Sequence, residues 1–313
     1  MAERSHRSGE ASSVSPLFLV LGAALLWSTG GLFIKWTTLS AFELTWGRSL
    51  LAALTVAFFT RREGFRLNTM TVLTSLLYAG LLLLFVVATK LTTAANAIFL
   101  QYTAPIYVLI LEPLFYKEKF RRADLVAVAA CICGMSLFFV GKLRPQDVKG
   151  NLAALASGLF FAFYILLLRH PHSQRVNRAS SVIYGNLLLV IIATFVIFYT
   201  PASLAALEHI SMRDGVSVLY LGVVQIGVAY TLFTLGMARG VRSLDAAIVG
   251  YIEPVLNPLW VFLFLGERPS AWALTGGAII IAAVASHTIW GASRSAKALR
   301  ALEPENKGQD NYS

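Results

Sequence analysis

Long apolar stretches dominate this chain of 313 residues and constrain its fold more than any other feature. Hydrophobic residues make up 57% of the sequence and charged residues only 13%, whereas about a quarter of the residues in a soluble domain are charged. This composition excludes a disordered chain, a coiled coil and an ordinary soluble enzyme. The two cysteines, Cys131 and Cys133, lie two residues apart in one apolar run, so we predict neither a disulfide nor a metal site there.

The number of apolar stretches predicts the number of membrane crossings. A bilayer core about 30 Å thick requires roughly 20 apolar residues in a helix. Ten stretches between Leu17 and Trp290 approach this length, and charged or Pro/Gly-rich segments separate them. We therefore predict an all-α polytopic membrane protein with ten transmembrane helices.

The net charge of +10 could indicate binding to nucleic acid, but the positions of the charges favour a membrane topology instead. If the N-terminus is cytoplasmic, eighteen Lys and Arg residues fall on that side and seven on the opposite side, with Arg48 inside a span. An excess of Lys and Arg is typical of cytoplasmic loops. We therefore predict that both termini are cytoplasmic and that the protein binds no nucleic acid.

An internal repeat divides the chain into two halves. At an offset of 149 residues, Tyr102 aligns with Tyr251 and Pro105 with Pro254. A second match aligns the LYAG beginning at Leu77 with the LYLG beginning at Leu219. Coincidence between apolar segments is the alternative, but the matched Tyr and Pro residues favour a duplication.

Each half contains five predicted spans, so the second copy must enter the membrane in the opposite orientation. Inverted repeats are typical of secondary transporters. The predicted organisation is an N-terminal tail over 1–16, a first repeat over 17–141, a second repeat over 150–290 and a C-terminal tail over 291–313.

Two segments of the repeat resemble a known family. The sequence RSLDAAIVGYIEPVLNPLWVFLFLGERPS, which begins at Arg242, is similar to the C-terminal EamA-type repeat of the drug/metabolite transporter superfamily, and AANAIFLQYTAPIY resembles the first copy. Within this superfamily the chain resembles bacterial inner-membrane exporters of aromatic amino acids, of the YddG type. The resemblance implies ten helices with both termini inside, a location in the bacterial inner membrane, and export or exchange of small metabolites.

Charged residues inside the predicted spans are candidates for substrate binding, because an ionisable group near the bilayer centre is costly without a cavity or a partner. Arg48 could hold a substrate carboxylate through two hydrogen bonds, or it could pair with Glu43 or with a helix C-terminus. Glu253 precedes Pro254 and could receive a substrate ammonium group, or it could only accept a hydrogen bond from a neighbouring helix. Both alternatives remain open at this stage.

Aromatic and amide residues near the centres of the spans form a second group of candidates, to which Trp27 and Tyr230 also belong. Their placement favours a cavity that suits an apolar or aromatic substrate with polar ends, although packing between helices is equally compatible. The predicted substrate-binding residues are Trp46, Arg48, Tyr78, Gln101, Tyr102, Tyr164, Tyr220, Gln225, Tyr251 and Glu253. The predicted hinges are Pro105, Pro254 and Pro258.

The sequence therefore predicts a secondary transporter that exports amino acids, aromatic ones included, by alternating access. Exporters of drugs, nucleobases or other metabolites are the alternative on the same fold. We predict that the protein is not an enzyme, because the sequence contains no P-loop and no cluster of catalytic residues. We expect no catalytic residue, metal or cofactor, and the lipid bilayer and a small-molecule substrate as partners; the sequence is compatible with a monomer.

Overall fold

The computed structural model describes residues 15–117, 121–137, 140, 148–201, 203, 210–265 and 270–302. In these residues the secondary structure is helical throughout. The first part of the chain forms seven helices: α1 (Pro16–Trp27), α2 (Gly30–Trp36), α3 (Ala41–Thr60), α4 (Thr69–Leu91), α5 (Ala94–Gln101), α6 (Ala104–Tyr116) and α7 (Arg122–Leu137). The rest forms α8 (Val148–Leu168), α9 (Pro171–Gln174), α10 (Ser180–Phe198), α11 (Met212–Leu219), α12 (Ala229–Ala238), α13 (Ser243–Gly250), α14 (Ile252–Leu265) and α15 (Ala271–Leu302).

Several predicted spans consist of two consecutive helical pieces. The pairs α1 and α2, α5 and α6, and α13 and α14 each form one span with a short interruption. A π-helical segment, Tyr220–Val228, joins α11 to α12. In this part of the chain nine stretches are long and apolar enough to cross a membrane, and they confirm an all-α polytopic membrane protein.

The predicted fifth span is the one that falls short of this length in the described part of the chain. Helix α7 contains 16 residues, which corresponds to about 24 Å at 1.5 Å per residue. Residues 138–139 and 141 of this predicted span lie outside the described residues, and the count of ten spans stays a prediction. Of the predicted tails over 1–16 and 291–313, residues 1–14 and 303–313 also lie outside the described residues. The first residues of the predicted C-terminal tail, 291–302, are helical and continue α15 to Leu302.

Close helix packing depends on small residues at the contacts. Helices α4 and α8 pack along each other, as do α3 and α10, α7 and α15, and α1 and α12. A Cβ atom added to Gly158 of α8 would lie 2.6 Å from the carbonyl oxygen of Gln101, and one added to Gly134 of α7 would lie 2.8 Å from that of Gly276. Only glycine allows the backbones to approach this closely.

The bundle exposes large apolar side chains on its surface and buries many polar side chains among the apolar residues of its core. Large apolar residues such as Phe58, Phe195 and Leu263 are exposed on its surface, where a bilayer would cover them. Polar residues such as Ser49 and Asn186 are buried. The interior of the bundle, rather than its surface, is therefore where a polar solute could be recognised.

Candidate functional site

Two helix breaks meet near the centre of the bundle. Helix α5 ends at Gln101 and helix α13 ends at Gly250, four residues before Pro105 and Pro254 respectively. A proline ring clashes with the carbonyl group four residues earlier and supplies no amide hydrogen, so both spans are interrupted there. The third predicted hinge, Pro258, lies within α14.

The tyrosines at these breaks connect the two predicted repeats. The ring centroids of Tyr102 and Tyr251 lie 5.6 Å apart. The hydroxyl of Tyr102 donates a 2.6 Å hydrogen bond to Oε2 of Glu253. Glu253 therefore does accept a hydrogen bond from a neighbouring helix, which was one of the two interpretations of this residue, and it also lines a cavity.

A small cavity of about 30 Å³ lies beside this hydrogen bond. Its volume accommodates one or two water molecules. Both charged residues singled out in the sequence, Arg48 and Glu253, contribute to its wall. The other lining residues are Trp27, Leu81, Leu82, Phe85, Gln101, Tyr102, Phe161, Gln225 and Tyr230.

Arg48 lies in this wall without an anionic partner. Its side chain is buried, and Nη2 donates a 3.4 Å hydrogen bond to the carbonyl of Leu82, while Nε has no partner. Glu43 instead caps α3, where its Oε2 accepts a hydrogen bond from the Ser40 amide at 2.8 Å. The ion pair with Glu43 that was one alternative is not formed, and Arg48 has no ion pair with any residue described.

Two amides occupy the cavity wall in different ways. Gln101 donates through Nε2 to the Ser157 hydroxyl at 2.7 Å, and Ser157 donates to the Leu81 carbonyl at 2.8 Å. Gln225 has a buried Oε1 atom without a partner. Because an unpaired buried polar atom is costly, Gln225 and Arg48 offer an acceptor and a donor that a bound solute can satisfy.

Aromatic rings form the remaining face of the cavity. Trp27 packs edge to face against Phe161, with ring centroids 6.1 Å apart, and against Tyr230 at 4.7 Å. The indole Nε1 of Trp27 is buried and has no partner. Behind these rings, Tyr78 lies 4.8 Å from Tyr230 and its hydroxyl accepts a hydrogen bond from Asn186 at 2.9 Å.

The predicted substrate-binding residues lie in three places: in the cavity wall, in a layer next to it, and away from it. Arg48, Gln101, Tyr102, Gln225 and Glu253 line the cavity. Tyr78, Tyr164 and Tyr251 are buried in a layer next to it and contact lining or break residues through their rings.

Trp46 and Tyr220 lie away from the cavity. Trp46 is exposed and donates to the Thr194 hydroxyl at 3.0 Å, whereas Tyr220 stacks on Phe33 with centroids 4.2 Å apart. Helix rotation explains this, because a span presents only some of its residues to the bundle interior. Sequence reasoning missed Phe161, Leu81, Leu82 and Phe85, since an apolar residue in an apolar span gives no distinguishing signal.

At one end of the bundle, hydroxyl and amide groups donate hydrogen bonds to a single carboxylate, that of Asp214. Asp214 accepts hydrogen bonds from the Thr37 hydroxyl at 2.7 Å, the Thr38 amide at 2.7 Å and the Thr38 hydroxyl at 2.9 Å. Ser211 also donates to it. These bonds fix the start of α11 against the segment between α2 and α3, and we call this the Asp214 end.

The opposite end is held by ion pairs around Arg242, and we call it the Arg242 end. Its Nη2 lies 2.8 Å from Oδ1 of Asp124 and 3.2 Å from Oδ1 of Asp245. Burial lowers the pKa of the Arg242 guanidinium, but its contact with Asp124 and the other nearby carboxylates raise the pKa by more, so the pKa lies above its ordinary value. Arg169 pairs with Glu112 at 2.8 Å close by.

Asp124, Asp245 and His287 have potential metal-ligating atoms within 4.8 Å of one another. His287 Nε2 lies 2.9 Å from Oδ1 of Asp124, and the Arg242 guanidinium lies between the two carboxylates. A cation is therefore already supplied by the chain itself, and the cluster ties α7, α13 and α15 together.

Comparison with known proteins places this architecture in a family. Two separate stretches of the chain, residues 14–140 and 148–288, match the EamA-like transporter family. The chain belongs to the EamA-like transporter family. As a member of this family it is a membrane transporter, and the sequence resemblance to EamA-type repeats is confirmed.

Relatives within the EamA-like family are named as transporters and exporters. The uncharacterized transporter YxxF of Bacillus subtilis is 25% identical over 291 residues, which are 89% of this chain and 90% of that protein. The pseudopaline exporter CntI of Pseudomonas aeruginosa is 27% identical over 79% of this chain and 85% of its own length. The aromatic amino acid exporter YddG of Ancylobacter novellus is 24% identical over 64% of this chain and 69% of its own length.

A solved crystal structure has the same fold. It superposes with a TM-score of 0.76 over 88% of this chain and 98% of that one, at 21% sequence identity. EamA-like transporters carry small molecules, so the cavity between the two helix breaks is the candidate site for the transported solute.

Proposed function

We propose that this protein exports amino acids with free amino and carboxylate groups, aromatic ones among them, across the bacterial inner membrane. The observation that carries the proposal is the cavity wall itself: Arg48 and Glu253 both line it, and they are not paired with each other. One wall thus provides a cation and an anion together, which is complementary to a zwitterion. The names of the YddG and CntI relatives support export as the direction of transport.

We propose a separate role for each group of the cavity wall. The Arg48 guanidinium and the Trp27 indole offer donors without partners to the substrate carboxylate. Glu253 and the Gln225 amide oxygen offer acceptors to the substrate ammonium group. The rings of Trp27, Phe161 and Tyr230 face the side chain of the substrate.

Transport would proceed by alternating access between the predicted repeats 17–141 and 150–290. The two family matches and the paired helix breaks at Tyr102 and Tyr251 support two related halves. Each end of the bundle is held by its own network, so opening one end requires that end's hydrogen bonds or ion pairs to separate. In the proposed orientation the Arg242 end and both termini face the cytoplasm, and the protein moves its cargo without chemical conversion.

Counterflow in liposomes tests this proposal. Purified protein is reconstituted with unlabelled tryptophan or phenylalanine inside, and uptake of the labelled amino acid is measured against protein-free vesicles. We expect uptake driven by the internal amino acid. Arg48→Ala should abolish it without reducing the amount of folded protein, and an equal loss of both would contradict a binding role for Arg48.

A second cargo class is tested in the same vesicles. The pseudopaline exporter matches a larger share of this chain than the aromatic amino acid exporter does, so cargo other than aromatic amino acids is included in the test. A panel of nucleobases, cationic drugs and zwitterionic metabolites is added as competitors of labelled tryptophan. Competition only by molecules that carry both an amino group and a carboxylate would support the amino-acid assignment.

A further inference from the structure

A second and larger pocket opens at the Arg242 end, between the segment that follows α3 and the segment that follows α8. Its volume is about 530 Å³, far larger than that of the inner cavity. Four arginines line it, and we call it the arginine pocket: Arg62, Arg66, Arg175 and Arg178. Glu63 is the one acidic residue among its lining residues, so the formal charge of the lining is +3.

The backbone around the arginine pocket is fixed by hydrogen bonds. Asn177 donates through Nδ2 to the carbonyl of Gly64 at 3.3 Å, and the Tyr184 hydroxyl donates to the carbonyl of Phe65 at 2.6 Å. Asn68 donates to the carbonyl of His172 at 2.8 Å. Two of these side-chain bonds join the two segments, and the third ties the first segment to α10, so the walls of the pocket are held in place.

Gly64 sets the direction of the first segment. Its φ angle is 77°, a conformation that other residues adopt only with strain. The turn at Gly64 lies between Arg62 and Arg66, and both side chains line the same pocket. The sequence thus uses a glycine at the position that brings two arginines to one site.

Arg178 distinguishes this pocket from an ordinary basic loop. A preference for Lys and Arg on one side of a membrane explains why several arginines occur there, but it does not require them to converge. Arg178 is half-buried, and its Nε atom is shielded from solvent without a hydrogen-bond partner. Burial also lowers the pKa of the Arg178 guanidinium, because its charge is partly removed from water.

We propose that the arginine pocket binds a phosphate group, either of an anionic lipid or of a soluble phosphorylated molecule. Guanidinium groups bind phosphate oxygens through paired hydrogen bonds, and several around one pocket neutralise a multiply charged anion. Phosphate would satisfy the Nε donor of Arg178 and balance the charge of its neighbours. Phe65 and Leu67, which are exposed on either side of Arg66, are positioned for contact with an acyl chain. This site is separate from the transport cavity, and the proposal holds whatever the transported solute is.

The test measures thermal unfolding of the purified full chain in a neutral detergent with two probes. One arm titrates inorganic phosphate against chloride at constant ionic strength. The other adds phosphatidylglycerol against phosphatidylcholine to the micelles. A ligand that binds only the folded protein raises the midpoint with its concentration, so we expect a rise in at least one arm. A rise with phosphatidylglycerol alone identifies a lipid site, and a rise with phosphate identifies a site open to soluble phosphates.

Variants assign the effect to the pocket. Arg178→Gln should weaken binding about tenfold, because a hydrogen bond to a charged group contributes about 1.5 kcal/mol or more. Arg175→Gln, at an exposed position, provides the same test if the Arg178 variant does not fold. Arg122→Gln is the matched control, since Arg122 is an exposed arginine outside the pocket. No midpoint shift with either probe, or an equal loss of binding in the control, would overturn the proposal.

Discussion

The two broken spans have the same backbone design and different chemistry. In the first, Tyr102 follows the end of α5, and in the second, Tyr251 follows the end of α13. Two residues beyond each tyrosine, the first span has Ala104 where the second has Glu253. Both breaks thus present a tyrosine to the centre of the bundle, but only the second provides a carboxylate.

The hydroxyl groups of the two tyrosines also differ, in whether they have a hydrogen-bond partner. The Tyr102 hydroxyl donates to Glu253, whereas the Tyr251 hydroxyl is buried without a partner. In this chain the interruption ahead of a proline is common to both spans, while the side chains around it differ. A cavity between two similar halves can then have one charged side and be complementary to a polar solute in one orientation.

The largest expected effect comes from neutralising the charge that the second break alone provides. Glu253→Gln should reduce counterflow of tryptophan at least about thirtyfold, because removing one partner of a buried charged interaction costs 2 kcal/mol or more. Glu63→Gln, which removes an exposed carboxylate at the Arg242 end, should leave transport unchanged. Equal transport by the two variants would show that the difference between the breaks has no functional meaning.

The next largest effect, on the stability of the fold, is expected where α8 packs against the first break. Gly158 of α8 lies against the Gln101 carbonyl, and an added Cβ would be 2.6 Å from that oxygen. Because the clash is with backbone, Gly158→Ala should destabilise the fold by about 3 kcal/mol, the upper part of the range for overpacking. Thermal unfolding in detergent measures this. Gly215→Ala, where no atom lies within 4 Å of the added Cβ, should not lower the midpoint.

The hydroxyl of the first break should have a smaller effect on stability. Tyr102→Phe removes the donor to Glu253. The loss of a hydrogen bond to a buried carboxyl group should cost about 1.5 kcal/mol. The decrease in the thermal midpoint, compared with the unmodified protein in the same detergent, gives the value. An unchanged midpoint would mean that Glu253 does not depend on this bond in the folded state.

Removal of the Tyr251 hydroxyl, at the second break, should have the smallest effect on stability. Tyr251→Phe removes a buried hydroxyl that has no hydrogen-bond partner among the described residues. The free energy of unfolding should change by less than about 0.5 kcal/mol, or increase slightly, because no bond is lost. Measured beside Tyr102→Phe, this variant isolates the contribution of the bond. If Tyr251→Phe lowered the free energy of unfolding as much as Tyr102→Phe does, the two hydroxyls would not differ in their contribution to stability.

Sequence alone predicted the parts of this structure that follow from strong physical constraints. Apolar length gave the spans because a membrane requires it, and Pro105 and Pro254 marked the interruptions because proline cannot continue the hydrogen-bond ladder. Arg48 and Glu253 stood out because a charge in a span is costly. The two charges were therefore visible in the sequence, and their placement in one cavity wall was not.

Other features depend on helix rotation and on partners far apart in the sequence. Trp27 lines the cavity while Trp46 faces outward, and the composition of their spans does not distinguish them. The bond from Tyr102 to Glu253 joins residues 151 positions apart. The arginine pocket depends on the packing of two segments, which an excess of Lys and Arg in the sequence does not reveal.

The size of the inner cavity has a consequence for selectivity. At about 30 Å³ it is too small for an amino acid, so any solute larger than a pair of waters must separate the walls in order to enter. Part of the binding free energy is then used to move the helices, and the measured affinity is weaker than the contacts alone would give. Competing solutes would thus differ more in how fast they are carried than in how tightly they are held.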